Sequence, residues 1–381
     1  MGHKLVDIMK NNEKSASPLR YVVVHLYNDY SGSPRVLADF CKSESVQSAS
    51  LSIITSSSKG FLDDDLGEKI NVWYPRGKIR LLNYFSFILA QFQLFCASFF
   101  LVLRGWSRGE RVVLVNNTIL SLGSMLASKC TNTLNICYVH EINSGPRIVR
   151  FFAEFLIKWT ADHVIFVSQF VADDYNFREK STTVIPNGLR SDFSGQPLLD
   201  YKLKFDQKTI LFVGSLKKYK GVSELLEIAK VLPDMRFIGV FNTSKIILEE
   251  FIKLKSVPPN LDLLVPQANM QDLYRDAFLV MNLSRPTEWV ETFGLTILEG
   301  MACGCPCVAP PVGGHLSYFD SDAGLICDAK NTLEIASFVQ RLQQDETLWR
   351  RYSDYAVGVA KNYSAENYSG NVAKLLKRLI T

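Results

Sequence analysis

The chain has 381 residues, of which 47% are hydrophobic and 21% charged, and its formal net charge is +4. A single hydrophobic core usually stops growing before this length, so two domains are expected, and the composition excludes a disordered or fibrous protein. The mild charge, without a basic run interleaved with aromatic residues, gives no indication of a nucleic-acid partner.

The N-terminal residues 1–18 have no apolar core of the kind found in a secretory signal. We therefore expect a cytoplasmic protein whose 8 cysteines are reduced thiols. Three of them lie in CGCPC (Cys303, Cys305 and Cys307), and this spacing is not that of the common zinc sites. The pattern predicts small buried side chains here rather than a metal site.

Apolar β-branched segments alternate with helical patterns along the first half of the chain. Such continuous apolar strands, interleaved with helices, predict a parallel sheet that is covered on both faces. The predicted strands are Tyr21–Tyr27, Leu51–Thr55, Val112–Val115, Asn135–Tyr138, His163–Val167 and Thr183–Ile185. The predicted helices lie near Pro34–Lys42, Leu81–Leu103, Ser121–Ala127 and Ile148–Trp159.

The helix between Arg80 and Arg104 contains 23 residues without a charge, which is long enough to span a bilayer. Three amide side chains interrupt it (Asn83, Gln91 and Gln93), and basic residues flank both ends, so there is no positive-inside asymmetry. A span would also separate strands that belong to one sheet. We therefore expect a buried or membrane-surface helix, whose cationic flanks suit an anionic leaflet.

A segment rich in turn formers, Pro186–Pro197, separates this half from a second run of the same pattern. Strands are predicted at residues 210–214, 236–240, 261–265, 279–284 and 305–310, and helices from Gly221, at Asp272–Asp276 and within residues 291–300. The whole pattern predicts two Rossmann-like doubly wound α/β domains facing a cleft, in which the carboxyl ends of the strands bind ligands. The expected boundaries are a polar tail at 1–19, domains at 20–190 and 198–365, and a C-terminal helix at 366–381, whose packing on the first domain is left open.

Residues 28–36, NDYSGSPRV, follow the first strand and open a helix. Ser33 is a suitable N-cap, and Pro34 suits the first helical position. Gly32 permits close approach of the backbone, so that free N–H groups and the helix dipole would meet an anion such as a diphosphate. The alternative is a glycine that serves only the turn.

Two other motifs also follow predicted strands. His140 lies just past a strand end, where ligand-binding groups of α/β proteins gather, and the alternative is a histidine that makes local hydrogen bonds in a loop. Lys217, Lys218 and Lys220 lie near the N-terminus of the helix from Gly221, where cations oppose the helix dipole. A bound polyanion would offset this conflict, and the alternative is a solvated basic loop.

Two glutamates, Glu291 and Glu299, bracket the apolar stretch ETFGLTILEG. On one regular helix they would lie about 12 Å apart along the axis and about 80° apart in azimuth. The carboxylates of retaining glycosidases are about 5 Å apart, so this spacing argues against a direct acid and nucleophile pair. We expect Glu291 in a loop and the helix to start near Phe293 and Gly294. The amides of Gly294 and Leu295 would then point at an anion. Glu291 and Glu299 would bind different parts of one long ligand, with this anion between them.

Taken together, these motifs resemble glycosyltransferase family 4, the retaining GT-B enzymes that use nucleotide-diphosphate sugars. The resemblance covers roughly residues 20 to 365. ETFGLTILEGMACGCPCV is similar to the family's E-x-F-G-x-x-x-x-E signature and the M-A-x-G-x-P-V segment that follows it, and SGSPRV stands where the family usually has G-G-A-E-R-V. IPNGL, VGSLKKYKG and PVGGHLSYF match further family landmarks in the expected order.

The resemblance implies an acceptor-binding first domain and a second domain that binds the nucleotide sugar. In that case Glu291 would hold hydroxyls of the donor sugar near the reacting carbon, and Glu299 would hold the ribose of the nucleotide. The backbone that would cradle the sugar and the diphosphate comprises Phe293, Gly294, Leu295 and Gly32.

Lys220 would neutralise charge on the leaving group, and His140 matches the family's histidine near the sugar and the acceptor side. Two departures from the family pattern matter. Ser215 stands where the family often has an arginine, and Lys217 or Lys218 would have to replace that diphosphate cation. Ser31 replaces the first glycine of the usual pair, which affects how closely that loop approaches the phosphate.

The resemblance also implies a retaining transfer without a carboxylate nucleophile, in which the acceptor hydroxyl attacks the face that the diphosphate leaves. No metal or cofactor is expected, because lysine and helix dipoles supply the positive charge and no D-x-D ligand pair stands at a strand end. A nucleotide-sugar epimerase of GT-B fold and a non-catalytic nucleotide-sugar-binding protein are the alternatives.

The expected donor is a UDP- or GDP-linked sugar, and the expected acceptor is a glycan or lipid-linked glycan of bacterial surface polysaccharide such as O-antigen, capsule or lipopolysaccharide. The basic, aromatic-rich first half and the cationic flanks of Leu81–Leu103 fit a cytoplasmic protein that is peripheral at the inner face of the membrane. The sequence names neither the sugar, nor the base, nor the linkage position.

Overall fold

A computed structural model of the chain describes residues 17–380 except 64, 78, 143–146, 176, 178–179, 194–199 and 267–268. The described residues form a seven-stranded and a six-stranded sheet, and every pairing of neighbouring strands is parallel. Parallel strands need crossover connections, and helices occupy these connections in both halves of the chain. The predicted architecture of two doubly wound α/β domains is therefore confirmed.

The first sheet has the strand order β3-β2-β1-β4-β5-β6-β7. Its strands are β1 (Leu19–His25), β2 (Ser50–Ser56), β3 (Glu68–Val72), β4 (Arg111–Asn116), β5 (Leu134–Val139), β6 (His163–Phe166) and β7 (Thr182–Val184). Its helices are α1 (Gly32–Lys42), α2 (Glu44–Gln47), α3 (Arg80–Ser107), α4 (Leu122–Thr131), α5 (Arg147–Thr160) and α6 (Gln169–Asp174). Strand β3 and the short helices α2 and α6 were not among the predicted elements.

Alternate residues of β1 face opposite layers of the first domain. Tyr21 and Val23 belong to the core that contains α1, whereas Val22 and Val24 belong to a separate core that contains α3. This alternation is what a strand buried on both faces requires, because successive side chains point to opposite sides of a sheet. The sheet therefore has an apolar layer on each face.

Helix α3 is buried against the sheet on one side and exposed on the other. One side of it packs on the sheet through Ala90, Leu94, Leu101 and Val102, which are all at most 3% exposed. The segment Leu81–Ser107 is long and apolar enough to cross a membrane. It is the one such helix in the part of the chain that the structure describes, and 33% of its most apolar 18-residue window is buried. The opposite side of the helix carries large exposed apolar side chains.

The second sheet has the strand order β10-β9-β8-β11-β12-β13. Its strands are β8 (Thr209–Gly214), β9 (Arg236–Phe241), β10 (Leu261–Leu264), β11 (Leu279–Met281), β12 (Cys307–Ala309) and β13 (Gly324–Ile326). Its helices are α7 (Tyr201–Gln207), α8 (Val222–Val231), α9 (Lys245–Leu254), α10 (Met270–Asp276), α11 (Leu295–Ala302), α12 (Thr332–Gln344) and α13 (Glu346–Ala360). The last helix, α14 (Ala365–Ile380), contacts α1 and α2 of the first domain.

The three cysteines of CGCPC are buried core side chains, as predicted. Burial raises the pKa of each of these thiols. The buried Lys204 of α7 lies beside them, and its Nζ donates to the carbonyl oxygens of Arg275 and Cys303 at 2.8 Å. Across the described ranges, no group of three or more histidine, cysteine, aspartate or glutamate side chains is arranged to hold a metal ion.

Candidate active site

Four loops at the carboxyl ends of strands carry the predicted site residues. Gly32 follows β1, His140 follows β5, the lysine loop follows β8, and Glu291 lies between β11 and α11. The carboxyl ends of parallel strands meet at one edge of a sheet, and this is the edge at which doubly wound folds bind ligands. The structure thus places the predicted residues of each domain on the ligand-binding edge of its own sheet.

The two edges face each other across a close interdomain contact. A Cβ atom on Gly32 would lie 3.7 Å from Leu295 Cδ1, which brings the first turn of α1 next to the first residue of α11. Ser168 Oγ donates to the Thr292 carbonyl at 2.7 Å, and Asn242 Nδ2 donates to the Tyr30 carbonyl at 3.1 Å. Contacts from both sheets therefore surround the predicted donor site.

Glu291 and Lys220 form a direct ion pair between the loop before α11 and the lysine loop. Ser284 Oγ donates to Glu291 Oε1 at 2.6 Å, and Lys220 Nζ lies 3.3 Å from the same hydroxyl. The side chains of Glu291 and Lys220 are 14% and 18% exposed. The two groups that the resemblance assigns to the sugar and to the leaving group are therefore in contact with each other, and both remain accessible.

The environment of Glu291 keeps its carboxylate ionised. Burial alone would raise the pKa of Glu291, but the charge of Lys220 and hydrogen bonds from Lys220, Ser284 and Asn282 together lower the pKa below its ordinary value. A carboxylate that is ionised accepts hydrogen bonds only. Glu291 is therefore suited to bind sugar hydroxyl groups and is not suited to donate a proton to a leaving group.

The N-terminus of α11 points out of the second domain beside Glu291. Gly294 is its N-cap residue, with φ of +84°, a conformation that favours glycine. Tyr318 Oη donates to the carbonyls of Phe293 and Gly294 at 2.9 and 2.7 Å, and this fixes the loop. The Phe293 side chain is 3% exposed, so it packs in the core, and the amides at the start of α11 are the groups available to an anion.

Glu299 lies one turn inside α11 and is paired with a residue that was not singled out in the sequence. Arg35 of α1 donates from Nη1 to Glu299 Oε1 at 2.6 Å, and the two residues are 6% and 8% exposed. Glu291 is held by Lys220 and Glu299 by Arg35, so the two carboxylates have different partners on different elements. This arrangement fits two separate binding groups and not one acid and nucleophile pair.

His140 belongs to a buried polar network with His25 and Asn117. The Asn117 Nδ2 atom donates to the Ser33 carbonyl at 3.0 Å, which identifies it as the amide nitrogen, and it also lies 3.2 Å from His25 Nδ1. The remaining Asn117 atom, Oδ1, can only accept, so His140 Nε2 at 2.8 Å must carry a proton. Burial lowers the pKa of His140 to about 3 and that of His25 to about 4.

The neutral His140 ring therefore has its proton on Nε2 and its lone pair on Nδ1. Asn117 directly follows β4 and connects the ends of β1 and β5 with the first turn of α1 through side-chain hydrogen bonds. The ring of His140 also lies against that of Tyr138, with 4.5 Å between the ring centroids. Its orientation is thus fixed from two sides.

The lysine loop places its three cations differently. Lys220 ends a short 3₁₀ turn, Lys218–Lys220, and reaches Glu291, whereas Lys217 and Lys218 are exposed to solvent and Ser215 is half-buried. The replacement of the family's arginine by Lys217 or Lys218 stays a prediction. Lys220 Nζ also lies 5.3 Å from the centre of the Trp289 ring.

Sequence reasoning did not assign four residues that the structure brings to this site: Arg35, Asn117, Ser284 and Trp289. Arg35 stands in the quoted motif SGSPRV, and the signal that could have identified it is a basic residue near the N-terminus of a helix, where a cation opposes the helix dipole. Asn117 and Ser284 directly follow or lie close after apolar strands, the position that doubly wound folds use for ligands. Their partners are far away in the sequence, so spacing alone could not reveal the contacts.

The second half of the chain matches a known protein family. The model of the family "Glycosyl transferases group 1" matches residues 200–358. An uncharacterized glycosyltransferase of Haemophilus influenzae is 27% identical over 276 residues, which are 68% of this chain and 73% of that protein.

Solved structures share the fold. The Anabaena HepE structure in complex with UDP-glucose has a TM-score of 0.76 and 17% identity, and it covers 94% of this chain and 100% of its own. WaaG, a glycosyltransferase involved in lipopolysaccharide biosynthesis, has a TM-score of 0.68 and 15% identity, with 94% and 99% covered. The chain therefore belongs to the group 1 glycosyl transferases, the family 4 enzymes of GT-B fold that transfer a sugar from a nucleotide sugar.

Proposed function

We propose that this enzyme transfers a sugar from a UDP- or GDP-linked donor to a glycan or lipid-linked glycan, with retention at the anomeric carbon. The observation that carries the proposal is the Lys220–Glu291 pair beside the N-terminus of α11. One carboxylate to hold the sugar, one ammonium group and a set of free helix amides suit a sugar joined to a diphosphate. The UDP-glucose bound to Anabaena HepE favours uracil as the base.

In the proposed mechanism the bond between the anomeric carbon and the diphosphate oxygen breaks first. The electron pair leaves with the diphosphate, whose charge is stabilised by Lys220 and by the amides at the start of α11. The acceptor oxygen then bonds to the oxocarbenium-like carbon on the same face. The proton of the acceptor hydroxyl passes to the departing diphosphate, so no protein carboxylate acts as a nucleophile.

The neutral state of His140 supports a role in hydrogen bonding to the sugar or acceptor. Its Nε2 proton is used by Asn117, so its Nδ1 lone pair is the atom that would accept from a hydroxyl group. Its pKa of about 3 also keeps positive charge away from the developing oxocarbenium ion. We assign His140 to positioning of a hydroxyl group and not to proton transfer.

The expected pathway is the assembly of bacterial surface polysaccharide, and the expected location is the cytoplasmic side of the membrane. Support comes from the lipopolysaccharide role of WaaG, which shares the fold, and from the exposed apolar side chains of α3. An acceptor that is carried on a lipid at the inner leaflet is the class of substrate that joins these two observations.

The test is release of nucleoside diphosphate from a panel of UDP- and GDP-sugars, with and without membranes that contain lipid-linked glycans. We expect one UDP-sugar to be consumed in a manner that depends on the acceptor, and the linkage formed to be of the retained configuration. Conversion of a nucleotide sugar to its epimer without acceptor would overturn the proposal, as would donor binding without turnover across the acceptor panel.

A further inference from the structure

The exposed face of α3 carries an unusual number of large apolar side chains for a globular domain. Four of them near its N-terminal end, Leu81, Tyr84, Phe85 and Ile88, are 77%, 68%, 63% and 68% exposed. Phe92 and Phe100, further along the helix, are 65% and 66% exposed. Apolar patches of this size on a soluble protein mark binding to another protein or to a membrane.

Helix α3 is held in the domain and is not available to cross a bilayer on its own. Its amide side chains, which the sequence showed as interruptions, hydrogen-bond to neighbouring backbone: Gln91 to the Leu120 carbonyl and the Gly123 amide, and Gln93 to Trp73. Gly123 of α4 lies so close to α3 that a Cβ atom there would be 1.9 Å from the Gln91 carbonyl oxygen. The apolar face therefore stays at the surface of a folded domain.

Helix α5 presents a second set of exposed apolar side chains. Phe151, Phe152, Phe155 and Trp159 are 74%, 54%, 52% and 48% exposed. Helix α4 contacts both α3 and α5, so the three helices form one layer. The nucleotide-sugar chemistry of the strand-end loops gives no role to these aromatic residues, because they lie outside those loops.

Most of the exposed apolar side chains of α3 lie toward the cleft, and those of α5 extend along the helix from its second turn. Helices α3 and α5 follow β3 and β5, so their N-terminal ends lie at the carboxyl edge of the first sheet, the edge that carries Gly32 and His140. Leu81, the most exposed of these residues on α3, lies in the first turn of that helix, and Phe151, the most exposed on α5, begins the second turn. The apolar face therefore reaches the rim of the predicted acceptor side.

The charges of this layer are strongly unbalanced. Helices α3, α4 and α5 carry basic residues at positions 80, 104, 129, 147, 150 and 158, against one acidic residue, Glu154, and Arg104 is paired with Glu68 of β3. If two copies of this chain paired through this face, their positive charges would repel each other. An anionic leaflet would instead attract these basic residues. The charge thus favours a lipid surface over a second copy of this chain.

We propose that the N-terminal half of α3 and the exposed aromatic side chains of α5 insert into the headgroup region of an anionic bilayer, with the cleft rim against the membrane. The inference rests on the proposed function, and it specifies the acceptor as one that reaches the cleft from the lipid phase. Basic residues contact the headgroups, and the aromatic and aliphatic side chains enter the acyl boundary. The enzyme lies on the membrane and does not span it.

The test is flotation of the full-length protein with vesicles of phosphatidylcholine alone and of phosphatidylcholine with phosphatidylglycerol. Two double variants change the proposed face, Phe85→Glu/Ile88→Glu on α3 and Phe151→Glu/Phe155→Glu on α5. The matched control is Ile246→Glu/Leu333→Glu in the second domain, whose original side chains are 70% and 73% exposed. Thermal unfolding of each variant verifies that it is folded.

We expect the wild type and the control to bind the anionic vesicles and each face variant to lose about tenfold in partitioning. Equal vesicle binding by folded face variants and wild type would overturn the inference, as would a wild-type dimer in solution that the face variants convert to monomers. Calorimetric titration with UDP separates this outcome from the proposed function. UDP binding without vesicle binding refutes the membrane face alone, whereas vesicle binding without binding of any nucleotide refutes the donor assignment alone.

Discussion

Arg35 of the first domain and Glu299 of the second form a buried ion pair at the predicted ribose site, with 2.6 Å between Nη1 and Oε1. The guanidinium is incompletely satisfied, because its Nε and Nη2 atoms are buried and lack a hydrogen-bond partner among the described residues. Arg35 therefore holds Glu299 in place and keeps two guanidinium nitrogens that can still donate hydrogen bonds. The pair joins the two domains at the point where a nucleotide is expected.

The first prediction concerns this pair. Glu299→Ala should weaken binding of the nucleoside diphosphate about tenfold, because it removes the predicted ribose ligand and leaves Arg35 with only the more distant carboxylate of Asp39, 3.7 Å from its Nε. Arg35→Met should lower the free energy of unfolding by about 3 to 5 kcal/mol, since it leaves a buried carboxylate uncompensated. Calorimetric titration with UDP and chemical denaturation measure the two effects.

A double variant, Arg35→Met/Glu299→Met, provides the control for stability. Because it removes both charges, it should recover much of the stability that Arg35→Met loses, while nucleotide affinity stays low. Additive losses of stability in the double variant would show that the two side chains do not interact in solution.

Glu291 is the subject of the second prediction. Glu291→Gln should abolish sugar transfer while leaving the affinity for nucleoside diphosphate nearly intact, because the proposed role of this carboxylate, which pairs with Lys220, is to hold the sugar and not the nucleotide. The steady-state rate and the calorimetric dissociation constant separate these effects. Glu227→Gln, which alters an exposed glutamate of α8, is the control and should behave as wild type. Weakened nucleotide binding with normal turnover in Glu291→Gln would contradict the assigned role.

Most of the fold could be predicted because its strands are buried on both faces and are therefore continuously apolar. Val112–Val115 is one example, and the observed strand extends it by one residue at each end. Strand β3 escaped prediction because it is an edge strand with the sequence EKINV, in which only Val72 is buried. An edge strand of this kind has neither the apolar run nor a regular alternation to identify it.

The candidate site was predictable where one loop carries the whole motif, as in ETFGLTILEG. It was not predictable where the chemistry depends on contacts between distant elements. Arg35 and Glu299 are 264 positions apart in the sequence, and Asn117 and His140 belong to different strand-end loops. Such pairs are defined by the strand order of the two sheets and by the contact between domains, and a single sequence contains no signal for either.

The third prediction tests Asn117 as the residue that positions His140. Asn117→Asp replaces the amide with a carboxylate that accepts from the same Nε2 proton but favours the imidazolium form. We expect turnover to fall and to gain a dependence on pH near neutrality that the wild type lacks. Asn117→Ala should lose turnover without this new pH dependence, and identical pH profiles for the two variants would contradict a role through His140.

The fourth prediction concerns acid stability. Burial lowers the pKa of His140 to about 3, so between this value and the ordinary value of about 6.5 the unfolded chain binds a proton that the native state does not. Stability from this group is therefore complete above pH 6.5 and decreases as the pH falls toward the folded-state value, by about 1.4 kcal/mol per pH unit.

The decrease is measured as the difference in unfolding free energy between wild type and His140→Gln, because the difference cancels the titration of other groups. That cancellation matters, since burial raises the pKa of Asp39 to about 6, and such a carboxyl changes stability with pH in the opposite direction. We expect wild type to lose stability relative to His140→Gln between pH 6.5 and pH 4. A difference that does not vary with pH across this range would show that the His140 ring is protonated in the native state, and the assignment of a free lone pair to its Nδ1 would then be wrong.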